Sequence, residues 1–71
     1  MFDFDKLVGR IIEKYGTRAA FADAMGMKAG QLTVRLKNKV PFKSPEIEKA
    51  AGLLHIKPDD IGRYFFTVKV R

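Results

Sequence analysis

The chain has 71 residues, and its 14 lysines and arginines against eight aspartates and glutamates give a formal net charge of +6. It has no cysteine and one histidine, which excludes a disulfide framework and a zinc site built on thiolates. No apolar run approaches the roughly 18–20 residues that span a bilayer, and the first residues lack the layout of a signal peptide. We therefore expect a single small domain over residues 1–71 that works in the cytoplasm, without a membrane partner.

The first predicted helix begins near Asp3 or Asp5, whose carboxylates can accept hydrogen bonds from the unpaired amides of a helix N-terminus. Apolar residues then recur at the helical period, and Gly16 ends the helix. Three cations recur at every fourth position on its outer side and are predicted to be solvated: Lys6, Arg10 and Lys14.

Two short helices joined by a tight turn are predicted next, over about residues 18–25 and 28–37. Thr17 is a good N-cap for the earlier helix, and Gly26 ends it at a position that favours positive φ. The later helix begins weakly, because Lys28 is a poor N-cap and its charge opposes the helix dipole. It therefore depends on two leucines that pack inward: Leu32 and Leu36.

A loop over residues 38–43 is followed by a fourth helix, with Ser44 as its N-cap and Pro45 in the first helical position. Glu46 supports the positive end of that helix, and His55 closes it. A short fifth helix is predicted from Pro58 to about Tyr64, followed by an extended tail over residues 65–70. The predicted fold is all-α: a compact bundle of about five short helices with a helix-turn-helix and an extended C-terminal tail.

The tail leaves two possibilities open, because its aromatic and β-branched residues could pair with a second copy or pack back on the first helix. We favour packing within the chain, since Phe65 and Phe66 are needed to complete so small a core. Pairing with a second copy would give a homodimer.

The sequence offers little for catalysis. Its acidic pairs stand at helix starts, where capping explains them, and His55 has no serine, cysteine or carboxylate partner in a recognisable arrangement. No glycine-rich phosphate loop is present. We expect no enzymatic activity, no cofactor and no metal site.

The cations are concentrated in one part of the chain. Residues 24–45 carry five lysines and arginines and no acid, and this window covers the second helix of the helix-turn-helix and the loop after it. A solvated cationic surface is the simpler interpretation, but the position favours phosphate binding. The predicted phosphate-binding residues are Thr17, Arg18, Arg35, Lys37, Lys39 and Lys43.

The outward side of the helix after Gly26 would supply base contacts if the unit binds duplex DNA. The predicted base-reading residues, which serve equally as a face for a protein partner, are Lys28, Ala29, Gly30, Gln31, Thr33 and Val34. Ala29, Gly30 and Val34 offer no hydrogen bonds, so few specific base contacts are available. The same small residues permit the close approach of a partner helix.

Three segments carry a family resemblance: the opening MFDFDKLVGRI, the central LKNKVPF and the closing IGRYFFTVKV. Together with the helix-turn-helix, they resemble phage regulators of the Cro and repressor type. The similarity is narrower to small Cro-like or modulator-of-repression proteins of temperate phages that infect Gram-positive bacteria.

This resemblance implies an all-α bundle and a role in the lysis–lysogeny decision inside the bacterial host cell. Members of the wider type bind operator DNA, often as dimers, whereas the modulators act with the lysogeny repressor by pairing with its DNA-binding domain. Ala29, Gly30 and Val34 stand where the wider type usually keeps polar base readers, and Arg18 replaces a common glutamine. We therefore expect a Cro-like regulator that binds operator DNA, with binding to the cognate repressor as the alternative.

Overall fold

The computed structural model describes residues 1–69; Val70, which the sequence places in the extended tail, lies outside them. Five α-helices are separated by short connections, with a 3-10 turn at Pro58–Asp60 before the last. The helices are α1 Asp5–Tyr15, α2 Arg18–Met25, α3 Ala29–Leu36, α4 Ser44–Leu53 and α5 Ile61–Phe65. The all-α bundle predicted from the sequence is confirmed. In the part of the chain described, none of these helices has the length and apolar character needed to cross a bilayer.

The ends of α2 follow the sequence prediction closely. Thr17 is its N-cap, and the side-chain hydroxyl oxygen accepts a hydrogen bond of 3.1 Å from the amide of Ala20. Gly26 ends the helix in the left-handed conformation, with φ of 76°. The amide of Met27 then donates to the carbonyl of Ala22 at 3.0 Å, which closes the last turn. Both predictions are confirmed, and the turn from α2 to α3 is made at Gly26.

The starts of α3 and α4 share a device that uses the residue at the third helical position. The Gln31 side-chain oxygen accepts the Lys28 amide at 2.9 Å, and a Glu46 carboxylate oxygen accepts the Lys43 amide at 3.0 Å. In a capping box, the side chain at the third helical position accepts the amide of the N-cap residue, and this is the bond seen in both helices. A lysine can therefore stand at the N-cap, although its side chain cannot accept a hydrogen bond. The prediction that Ser44 caps α4 is wrong by one residue: Ser44 is the first helical residue, and Lys43 is the N-cap.

The core receives a buried side chain from every α-helix. The buried apolar residues are Phe4, Leu7, Ile11, Phe21, Ala22, Met25, Leu32, Ala50, Ala51, Leu54, Ile56 and Phe65. The alanines lie in α2 and α4, where small side chains allow the two helices to pack closely. Leu32 is the one residue of α3 that is fully buried, and Leu36 packs at the margin of the core.

The C-terminal end of α4 is closed by a side chain from α1. His55 has φ of 55° and ends the helix, as predicted, and the amide of Ile56 donates to the carbonyl of Ala51 at 2.9 Å. Arg10 donates to the carbonyl of Leu54 at 2.9 Å and to that of His55 at 3.3 Å. The prediction of a purely solvated Arg10 is therefore wrong, because it satisfies carbonyls that the helix itself leaves unpaired.

The two termini pair with each other. Phe2 and Val68 form an antiparallel β-bridge, in which the Asp3 amide donates to the Thr67 carbonyl at 2.7 Å and the Lys69 amide to the Met1 carbonyl at 3.0 Å. We call residues 1–3 and 67–69 the terminal ribbon. The tail thus folds back within the chain, as favoured above, but onto the N-terminal residues.

The two aromatic residues assigned to the core behave differently. Phe65 is buried, whereas Phe66 is 51% exposed and its ring packs edge-on against that of Phe2 with centroids 5.7 Å apart. The prediction that both complete the core therefore holds only for Phe65.

Replacement of Gly26 by alanine should lower the free energy of unfolding by about 1–2 kcal/mol, because an L-residue in the left-handed region strains the backbone. Steric crowding contributes little, since the nearest atom to an added Cβ would be Lys49 Nζ at 3.8 Å. Gly9→Ala is the matched control: Gly9 is inside α1 with nothing within 4 Å, and alanine there should stabilise by about 0.5–1 kcal/mol. Chemical denaturation of both variants measures the difference, and equal effects would contradict the assigned turn.

Candidate binding surface on the third helix

We call the six residues predicted to read bases or bind a protein partner, at the start of α3 and along it, the α3 face: Lys28, Ala29, Gly30, Gln31, Thr33 and Val34. The first turn is exposed, and Thr33 and Val34 are half-buried at its edge. A Cβ added at Gly30 would meet nothing within 4 Å, so the backbone there is open to an approaching partner. Five of these residues therefore lie within α3 and Lys28 is its N-cap, and the smallest side chains are at Ala29 and Gly30.

Two side-chain groups on the α3 face, one on Gln31 and one on Thr33, are bonded within the chain. The side-chain oxygen of Gln31 accepts the Lys28 amide, and the Thr33 hydroxyl donates to the carbonyl of Ala29 at 3.0 Å. Base-edge recognition uses bidentate amide or guanidinium contacts whose donors and acceptors must point outward. The face therefore offers fewer such groups than its residue types suggest.

Arg35 joins α3 to α4. Its Nε and one terminal nitrogen donate to the two carboxylate oxygens of Glu46 at 2.9 and 3.0 Å, and its other terminal nitrogen donates to the Gln31 carbonyl at 2.9 Å. The two side chains are only 11% and 20% exposed. This bidentate geometry is directional, so it fixes the rotation of α3 against α4. The role of Arg35 as a phosphate contact stays a prediction, and the pairing adds a structural role that the sequence did not indicate.

The electrostatics of Glu46 follow from these contacts. The hydrogen bond from Arg35 is the main cause that lowers the pKa of Glu46, and the amide of Lys43 and the nearby positive charges act in the same direction. Partial burial opposes them, because removing a carboxylate from water favours its neutral form. The carboxylate is therefore charged at neutral pH and ties together Arg35, Lys43 and the first turn of α4.

The residues predicted to bind phosphate are distributed around the α3 face. Two of them, Arg18 from α2 and Lys37 at the C-cap of α3, line one groove of about 370 Å3, together with Thr33 of the α3 face. Asp3 and Asp5 lie along the same groove, so its charge is mixed.

The remaining phosphate candidates lie outside that groove. Lys39 and Lys43 are exposed in the segment between α3 and α4, and the side-chain oxygen of Thr17 is engaged as the N-cap of α2. Among residues 1–69, the ion pairs are Arg10–Glu13, Arg35–Glu46 and Arg63–Asp60, so the exposed cations around α3 are not among the paired ones. Their phosphate-binding role stays a prediction.

Asn38, for which the sequence predicts only a place in a loop, lies beside the α3 face. Its side-chain oxygen accepts the Phe2 amide and its side-chain nitrogen donates to the Phe2 carbonyl, both at 2.9 Å. Its residue type is the one signal in the sequence, because asparagine tolerates the left-handed region better than most residues, and its φ is 63°. That signal predicts a turn but does not identify the partner 36 positions away.

Comparison with known proteins gives two findings. The family described as "Protein of unknown function (DUF739)" matches residues 1–68. The solution structure of the modulator of repression (MOR) of the temperate bacteriophage TP901-1 from Lactococcus lactis is 43% identical, covers 99% of this chain and 95% of its own, and superposes with a TM-score of 0.83. No curated protein matches the chain significantly. The resemblance to modulators of repression from phages of Gram-positive bacteria is confirmed.

Replacement of Glu46 by glutamine should lower the free energy of unfolding by about 1–3 kcal/mol at pH 7, because it leaves the largely buried Arg35 without its counter-charge. The folded-state pKa of Glu46 is lowered, so its stabilisation is complete above the unfolded pKa, about 4.3 for glutamate. It is lost as the pH falls through the lower folded value.

The difference between wild type and Glu46→Gln should therefore shrink as the pH is lowered from about 5 to about 3, as measured by urea denaturation. Glu48→Gln, at an exposed position on the same helix, is the control and should change stability little. A Glu46→Gln variant as stable as wild type at pH 7 would show that the pair does not hold α3 in place.

Proposed function

This chain belongs to the DUF739 family, and we propose that it modulates repression in a temperate phage by binding the DNA-binding domain of the cognate lysogeny repressor through the α3 face. The relationship to the TP901-1 modulator of repression, at 43% identity over 99% of the chain, supports this role. The protein would act as one helix-turn-helix domain in the cytoplasm of the bacterial host, and its possible homodimer stays a prediction.

The observation that carries the proposal is the state of the polar groups on α3. Gln31 and Thr33 direct hydrogen-bonding groups back to the main chain, and Arg35 is bound to Glu46. A helix that reads bases needs these groups to point into the groove. A helix that packs against a protein does not, because apolar contact and close fit can supply its binding energy.

The shape of the α3 face supports the same choice. Ala29 and Gly30 leave the backbone open, so a partner helix can approach more closely than larger side chains would allow. Val34 contributes apolar area beside them, and Lys28 lies at the exposed end. Since α3 is already fixed by Arg35 and Glu46, little ordering is needed on binding.

Such binding would be sufficient to alter repression. A protein that covers the DNA-contacting surface of the repressor competes with the operator, so its concentration sets how much repressor remains available. The modulator needs no operator recognition of its own.

Replacement of Gly30 by lysine distinguishes the two candidate partners. A long side chain on the open backbone should weaken binding to the repressor's DNA-binding domain by about tenfold or more, equivalent to ~1.4 kcal/mol. The added charge should instead strengthen binding to duplex DNA, because it supplies another phosphate contact. Isothermal titration calorimetry with the repressor domain and fluorescence anisotropy with operator duplex measure the two effects.

Gly52→Lys is the matched control, since Gly52 is exposed on α4 with nothing within 4 Å and the variant adds the same charge. It should leave repressor binding unchanged. Absence of any association between the wild-type protein and a folded cognate repressor would refute the proposal.

A second candidate, direct binding to operator DNA, is favoured by one observation: Arg18, Lys37, Lys39 and Lys43 are exposed around α3. Phosphate neutralisation by these cations would make the logarithm of the association constant fall with the logarithm of salt concentration, by about −0.9 for each phosphate contacted. Anisotropy titrations from low to physiological salt measure this slope. A slope near zero, or no binding at low salt, would eliminate the electrostatic basis for DNA binding.

A further inference from the structure

Asn38 bonds the N-terminal residues as a neighbouring strand would. Its side-chain amide both accepts from and donates to the main chain of Phe2, with two bonds of 2.9 Å. In the antiparallel bridge, the amide and carbonyl of Phe2 point away from Val68. The Asn38 amide therefore occupies the edge of the ribbon opposite to the C-terminal residues.

The main chain of Asn38 is tied to the end of α3. Its amide donates to the carbonyl of Arg35 at 3.1 Å, and the next amide, that of Lys39, donates to the carbonyl of Val34 at 2.9 Å. One residue thus connects the last turn of α3 through its backbone with the terminal ribbon through its side chain. Residues from the two ends of the chain and from the middle are held together at this point.

The ribbon lies directly beside the candidate binding surface. Met1 and Lys69 of the ribbon line the same groove of about 370 Å3 as Arg18, Thr33 and Lys37. Asp3 and Asp5 also line it, so cationic and anionic side chains share one concave surface. Carboxylates beside the groove repel a uniformly negative phosphate backbone but suit a protein surface that carries charges of both signs.

We propose that the terminal ribbon is part of the surface that binds the repressor domain, and that Asn38 is the positioning residue that holds it beside α3. The inference rests on the function proposed above and adds a second region to its interface. Binding then involves the α3 face, the mixed-charge groove and the ribbon residue Lys69. The partner is a folded protein domain whose surface carries charges of both signs, with cationic side chains against Asp3 and Asp5 and acidic ones against Lys37 and Lys69.

The side-chain role of Asn38 can be separated from its backbone role. Asn38→Asp keeps the shape and the acceptor for the Phe2 amide but places a carboxylate oxygen against the Phe2 carbonyl. Asn38→Gly keeps the left-handed backbone without strain and removes both bonds. His55→Gly is the matched control, because His55 also has positive φ and is replaced in the same way at a distant turn.

Amide hydrogen exchange by NMR reports on the ribbon through the Asp3 and Lys69 amides, which donate across it. Both Asn38 variants should speed exchange at these amides by about tenfold, the loss expected for a hydrogen-bond pair of modest net strength. Exchange at the buried Ile11 should stay as in wild type. Unchanged protection of Asp3 and Lys69 in both variants would overturn the role of Asn38.

Calorimetric titration with the repressor domain tests the ribbon as binding surface. Lys69→Glu, which leaves the Asn38 bonds intact, should weaken binding by about tenfold, whereas Lys57→Glu makes the same charge change outside the groove and should not. Equal affinity of Lys69→Glu and wild type would remove the ribbon from the interface while leaving the α3 proposal standing. If wild type and Gly30→Lys both fail to bind the repressor domain, the proposed function and this interface are refuted together. The positioning role of Asn38 is then tested by amide exchange alone.

Discussion

The bidentate pair between Arg35 and Glu46 is the polar contact that ties α3 to α4. Only Leu32 of this helix is fully buried, so apolar packing leaves α3 weakly specified about its own axis. The pair adds direction, because a planar guanidinium and a carboxylate meet in only a few geometries. Glu46 also accepts the amide of Lys43, so the same carboxylate starts α4 and holds α3.

This arrangement supports the proposed function, because side-chain groups of α3 that could contact DNA are bonded within the chain. Arg35 faces α4, and Gln31 bonds the main chain at the start of its own helix. At Ala29 and Gly30 the side chains are small, and a Cβ added at Gly30 would meet nothing within 4 Å. These features are the basis on which we propose a protein, and not the bases of DNA, as the partner of α3.

The terminal ribbon, like α3, is held in place by side-chain hydrogen bonds from a distant part of the chain. A two-stranded pairing with one bridge is marginal by itself in water. Here it is supported by the side chain of Asn38 on one edge and by packing of the Phe2 ring against Phe66. The result is a surface beside α3 that is built from residues far apart in sequence.

Local signals in the sequence were sufficient for the helices and their ends. Thr17, Gly26 and His55 act through bonds and dihedral angles within a few residues, so the order of elements and the all-α fold were predictable. The helical period likewise placed Leu32 inside and Gly30 outside. The family resemblance also lies in linear segments, at residues 1–11, 36–42 and 61–70.

Contacts between distant residues were decided only by the tertiary structure. The pairs Arg35–Glu46, Arg10–Leu54 and Asn38–Phe2 are separated by 11, 44 and 36 positions, and no periodicity or capping rule links their members. A charged or amide side chain has many possible partners in the unfolded chain, and packing of the core selects one. For that reason the sequence could place the α3 face on a helix, but not show which of its polar groups were already bonded.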